Sequence, residues 1–243
     1  MWKNKCGLTM KYIISLLLLL TVSAFADDYG KLIFQDDFER NESDESKEEP
    51  GNDWVSNSKS RAKGNKQLDL RDGSLYIYTH AEADHAAVAK HMIGFQNGTI
   101  ALMCKFESSK DLMNINIADS SEKSVHAGHL FNVTISPEKV LLTDLKTGGM
   151  KLEVREAKKA NKLTAEQKKM LKTKAKTFKN NLELNKWHKV VATVNGDEIT
   201  CSINGKEIGS FKSPGFAHPV KQELRLIVNK NVFVDEIRVW KKD

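Results

Sequence analysis

Residues 187–212 read WHKVVATVNGDEITCSINGKEIGSFK. Val190, Ala192 and Val194 alternate with Lys189, Val191 and Thr193, and Ile199, Cys201 and Ile203 alternate with Thr200 and Ser202. A period of two is what a half-buried strand imposes, because successive side chains point to opposite faces. Asn195-Gly196-Asp197 and Asn204-Gly205 separate the runs, and Asn-Gly tolerates the positive φ that a type I′ hairpin turn needs at both central residues. The stretch therefore predicts three antiparallel strands in a meander.

The same period recurs on both sides of it. Leu75, Ile77 and Thr79 oppose Tyr76, Tyr78 and His80; Ile100, Leu102, Cys104 and Phe106 share a face; Met113, Ile115 and Ile117 alternate with Asn114 and Asn116; Phe131, Val133 and Ile135 alternate with Asn132 and Thr134. Leu224 to Asn229 and Val232 to Trp240 close the pattern, which predicts an all-β antiparallel sandwich. One segment breaks it. Leu163, Met170, Leu171 and Phe178 recur at helical spacing, and Thr164 with Gln167 makes a capping box. These predict one basic α-helix, about Ala165 to Lys176, in an insertion spanning about residues 150–180 and packed against the sandwich rim.

The first 26 residues read as a secretory signal peptide: Lys3, Lys5 and Lys11, then the apolar run Ile13 to Leu20, then Ala24-Phe25-Ala26. Cleavage after Ala26 would leave residues 27–243 as one domain with no transmembrane segment, placed in the periplasm, the cell envelope or the extracellular space. Of the cysteines, Cys104 and Cys201 would remain, each on an apolar strand face; both two buried thiols and a single bridge between sheets fit that placement. Zinc is not expected without a second Cys pair or close His spacing.

Charge is uneven. Residues 146–186 hold 13 Lys/Arg against four acids, Glu153, Glu156, Glu166 and Glu183, whereas the rest of the chain beyond residue 26 has 22 Lys/Arg against 28 acids. With only Phe178 among the aromatics there, the basic stretch lacks the stacking residues of a nucleic-acid surface. It is either a solvated helix face or an anion patch, for which an acidic or sulfated polysaccharide is the natural partner.

Asp36 and Asp235 each lie among apolar strand residues: Leu32, Phe34 and Phe38 in one case, Phe233, Ile237 and Val239 in the other. A carboxylate so placed must be paired, hydrogen-bonded or metal-bound. If the first and last strands are neighbours, the two could share a calcium ion, which takes hard oxygen ligands; alternatively each accepts hydrogen bonds at a sheet end. A second constellation occupies the outer strand positions: Tyr76, Tyr78, His80, Asn114, Asn116, Asn132, Arg225 and Asn229. Amides and guanidinium suit sugar hydroxyls and aromatic rings stack on pyranoses, although an ordinary solvated sheet face is equally polar. His126 and His129, with Lys123 in the same loop, are the catalytic candidates, since histidine acts as a general base near neutral pH. No phosphate-binding glycine loop, G-x-S-x-G elbow or H-E-x-x-H helix occurs.

The opening FQDDFER, the WHKVVATV strand with its DEITCSINGKEIG hairpin, and the closing VFVDEIRVW resemble the concanavalin A-like jelly rolls, especially laminin-G-like and 3-keto-disaccharide hydrolase-like bacterial proteins. The resemblance implies a secreted two-sheet jelly-roll sandwich that handles glycans, by binding or by glycoside processing. The E-x-D-x-x-E strand of retaining glucanases of that fold is missing, so the two-carboxylate route does not carry over. The competing expectation is a non-catalytic interaction module that contacts partners through its lysine-rich helix.

Overall fold

Three strands do form between Trp187 and Lys212, and the turn between the second and third has Asn204 at φ 52° and Gly205 at φ 77°, the left-handed pair that the Asn-Gly signal anticipates. The computed structural model describes residues 29–242; the expected leader, residues 1–26, lies outside them. The chain lays down β1 (Lys31–Asp36), β2 (Val55–Ser56), a helical turn α1 (Ser58–Arg61), β3 (Leu68–Arg71), β4 (Ser74–Tyr78), β5 (Ala87–Phe95), β6 (Asn97–Lys105), β7 (Met113–Ala118), β8 (His129–Ile135) and β9 (Lys139–Asp144). After helices α2 (Leu152–Lys159) and α3 (Ala165–Lys172) come β10 (Ala175–Lys179), β11 (Trp187–Asn195), β12 (Glu198–Ile203), β13 (Lys206–Lys212), β14 (Lys221–Val228) and β15 (Asn231–Lys242).

These make two antiparallel sheets. The first runs β13-β12-β11-β6-β15-β4-β3 with β1 also on β15, and the second runs β10-β9-β8-β7-β14-β5-β2. Their inner faces supply the core. Ile100, Leu102, Cys104, Val190, Ile199 and Val234 from the first meet Ile115, Ile117, Phe131, Val133, Leu224 and Leu226 from the second, all buried. Interleaving of strands distant in sequence, such as β6 between β11 and β15, gives the all-β jelly-roll sandwich that the alternation and the resemblance led us to expect.

Two expectations change on contact with the structure. Helix α3 stops at Lys172, Leu152–Lys159 forms a separate helix, and Ala175–Lys179 leaves as a strand paired to the edge of β9, Phe178 opposite Val140. Pairing with an open sheet edge and packing Phe178 against the core outweigh local helix propensity there. In β15 the register slips between Asp235 and Arg238, with Glu236 at φ 44°. That bulge shifts the phase of the strand: Val232, Val234, Ile237 and Val239 are buried, while Phe233 and Asp235 turn outward. Asp235 therefore does not share the face of Ile237 and Val239.

Asp36 follows one of the two alternatives stated for it. Its carboxylate accepts from the Phe38 backbone N–H (2.9 Å), both Arg40 Nη groups (2.6 and 2.9 Å), Asn52 Nδ2 (3.0 Å) and the Trp54 indole N–H (2.8 Å). Of the two readings of this residue, hydrogen bonding describes it. Asp235 instead accepts the Glu236 backbone N–H, and among the described residues no group of three or more His, Cys, Asp or Glu is placed to hold a metal ion. Cys104 and Cys201 are free buried thiols on the inner face of the same sheet, which leaves nothing for a bridge between sheets to join.

Candidate functional site

Outward positions of the second sheet line a cleft of about 560 Å³. The strand register explains why its polar residues converge. Asn132 on β8 lies opposite Asn116 on β7, Asn116 opposite Arg225 on β14, and Arg225 opposite Lys90 on β5. A single transverse row of side chains thus crosses four strands. One step along, Thr134, Asn114, Ile227 and Val88 form a second row in the same register. Asn57 and Arg61 close one side, and His126, His129 and Met150 the other.

The amides are organised by one another. Asn116, fully buried, donates from Nδ2 to the Phe131 carbonyl (3.1 Å) and to Asn132 Oδ1 (2.6 Å), which turns its Oδ1 toward His129 Nδ1 at 2.9 Å. Asn114 Oδ1 accepts from Thr134 Oγ1 (2.6 Å). Because Asn116 Oδ1 can only accept, His129 Nδ1 carries the hydrogen and Nε2 the lone pair. Burial, then the Arg225 charge, pushes the His129 pKa down to about 4, so the ring is neutral at physiological pH. His126, 6.3 Å away between ring centroids, is also shifted down, by burial and then by Arg155 and Lys159.

Arg225 is held in place. Its Nε and Nη2 donate to Glu223 (2.9 and 2.8 Å) and Nη1 donates to the Ala127 carbonyl (3.0 Å), where Ala127 adopts a left-handed φ of 51°. Three of its N–H groups are thus committed and the guanidinium edge that lines the cleft has a fixed orientation.

The structure gathers His126, His129, Asn114, Asn116, Asn132, Arg225 and Asn229 on this one cleft. It does not bring the rest. Lys123 is exposed and donates to the Ser120 carbonyl at 2.7 Å. Tyr76 and Tyr78 stand on the outer face of the first sheet, in an aromatic group with Phe233 and under the Arg71 guanidinium, 4.0 Å from the Tyr76 ring centroid. His80 accepts the Glu82 backbone N–H in the loop after β4. Alternation assigns a side chain to a face of its own strand but not to a sheet, which is why these three were grouped with the amides. Conversely Asn57, Arg61 and Lys90 line the cleft unforeseen. Lys90 carried a faint signal, alternating with the inward Ala87 and Ala89, while Asn57 and Arg61 lie at a sheet edge where no period exists.

With this geometry in view, the likenesses are informative. The model of the concanavalin A-like lectin/glucanases superfamily matches residues 80–243, and the chain belongs to that superfamily. No curated protein matches the sequence. Among solved structures it is similar to a GlcNAcα1-4Gal-releasing endo-β-galactosidase from Clostridium perfringens, at 9% identity and TM-score 0.56, covering 88% of this chain and 63% of that one. It is also similar to a laminarinase from Rhodothermus marinus, at 11% identity and TM-score 0.55, over 87% and 97% of the two chains. A third is LamA from Z. galactanivorans, solved with laminaritriose and laminaritetraose, at 14% identity and TM-score 0.52, over 87% and 99%. At these identities the likeness is one of fold, and it relates the sandwich to carbohydrate-active proteins.

Proposed function

We propose that this is an exported protein that binds a carbohydrate in the cleft across its second sheet. The observation that carries the reading is the row Asn132, Asn116, Arg225 and Lys90, hydrogen-bonding side chains at adjacent register positions of neighbouring strands. Sugar hydroxyls both donate and accept, and a mixture of amide oxygens, amide N–H groups and a guanidinium answers both demands. The cavity falls in the size range of small-ligand pockets. Retaining hydrolysis would need two carboxylates about 5–5.5 Å apart, and no aspartate or glutamate is among the described residues lining the cleft. Chemistry, where it occurs, would fall to His129, whose neutral ring presents Nε2 as a proton acceptor beside a keto-sugar.

A glycan array probed with residues 27–243, alongside the variants Lys90→Ala and Asn229→Ala, tests this, with a 3-keto-disaccharide turnover assay run in parallel. Selective binding that both exposed variants weaken without lowering the melting temperature supports the reading. An empty array with no turnover sinks it, and so does glycan binding that neither variant alters.

A further inference from the structure

The cleft is cationic in a way that the fold does not require. Arg61, Lys90 and Arg225 line it, and among the described lining residues no carboxylate does. Yet outside residues 146–186 the chain beyond residue 26 has more acids than bases. Two of the three permanent charges have acidic partners: Arg225 pairs with the largely buried Glu223, and Arg61 pairs at the surface with Asp84 at 3.5 Å. The Lys90 ammonium has no hydrogen bond or ion pair among the described residues. Lys90 is exposed and sits directly opposite Arg225 across the β5–β14 pair. Like charges facing each other on neighbouring strands are destabilising, so this juxtaposition works against folding.

From these observations we infer that the ligand of the cleft is an anionic saccharide, a sugar bearing carboxylate or sulfate, whose charged group is received between Lys90 and Arg225 while Asn114, Asn132 and Asn229 hold its hydroxyls. The inference rests on the carbohydrate-binding reading above and narrows its ligand class. Arg225, braced by Glu223 and the Ala127 carbonyl, presents a preset guanidinium, and guanidinium matches the planar or tetrahedral oxygens of such groups. Lys90 supplies the uncompensated charge on a flexible stem. After burial, the Arg225 charge is the largest cause that lowers the His129 pKa. The basic stretch expected from the sequence to meet acidic polysaccharide, residues 146–186, lies beside this cleft through Arg155 and Lys159 of α2, whose charges reach His126; it forms a rim, and the receiving residues are on the sheet.

Calorimetry with oligosaccharides matched in length provides the test: one neutral, one uronate-containing and one sulfated, each against wild type, Lys90→Met and the double variant Lys158→Ala/Lys159→Ala. The expected result is that an anionic oligosaccharide binds about tenfold or more tightly than the neutral one, the range of a charge-assisted contact. Lys90→Met should remove that advantage with an unchanged melting temperature, and the α2 variant should leave it. Binding should also raise the His129 pKa in an NMR titration, because an anion offsets the surrounding cations. The uronate and sulfate arms identify the source of the charge. Equal affinity for neutral and anionic sugars, with Lys90→Met neutral, overturns the anion inference while the carbohydrate reading stands. Preference abolished by the α2 variant and retained in Lys90→Met overturns the location. Failure of all three sugars to bind overturns both.

Discussion

Five hydrogen-bond donors converge on the single carboxylate of Asp36, so deleting it leaves several groups without an acceptor. Asp36→Ala would strand the Trp54 indole N–H and the Phe38 backbone N–H and leave the Arg40 guanidinium only its bonds to the Pro50 carbonyl. An expected loss of about 3 kcal/mol, the range for removing one partner of a buried ion pair, would be read from urea denaturation. The same group has a pH dependence of definite sign. Burial pushes its carboxyl up, but hydrogen bonds from Arg40, Asn52, the Phe38 backbone and Trp54 more than offset this and hold it below the ordinary 3.8. A carboxylate with a depressed folded-state pKa contributes stability that is complete above the unfolded value and vanishes as pH falls through the folded one. The urea midpoint should therefore drop below about pH 4, and it should drop less steeply in Asp36→Asn. Leu32, Phe34 and Phe38 made Asp36 conspicuous in the sequence; its partners were not visible, because Asn52 and Trp54 reach it from a loop with no period.

Among elements, β10 shows where local reading ends. The capping box at Thr164 and Gln167 forms as its spacing implied, since a cap involves only residues three apart. The end of that helix was not legible, because what terminates it is an edge of β9 more than thirty residues earlier. Phe178 on β10 also lies against Gly209 on β13: a Cβ at Gly209 would come 2.2 Å from Phe178 Cε1. Gly209→Ala should therefore push the Phe178 ring aside and loosen β10, read as faster amide hydrogen exchange over Ala175–Lys179 with the rates of β7 and β14 unchanged. Equal protection in both proteins would mean that β10 does not depend on this contact. The bulge at Glu236 has the same lesson at a smaller scale, for one extra residue reverses the face of everything after it, and no composition signal marks it.

At the scale of the whole sandwich the two cysteines act as internal reporters. Burial pushes the Cys201 thiol up to about 12, and Cys104, fully buried, is shifted up as well. Neither should react with a thiol reagent in the native protein near neutral pH, since the thiolate is the nucleophile. Both should react at the rate of global opening, so denaturant should accelerate the two together; early modification of one alone would reveal partial separation of the sheets. Sheet membership is the part of this molecule that alternation cannot carry. Asn114, Asn116, Asn132 and Arg225 were legible as outward residues, and so were Tyr76 and Tyr78, but only pairing across distant sequence decides that the first four meet and that the tyrosines lie on the opposite side.

In the first sheet, the pairing of strands distant in sequence is concentrated in β15. Residues 231–242 lie between β6 on one side and β4 and β1 on the other, all of which come from residues 31–105. Until residues 231–242 are in place, β1, β4 and β6 have no common neighbour. Slow, late and nearly all-or-none assembly is the consequence of such long-range pairing. A chain of this design stays threadable until β15 is added.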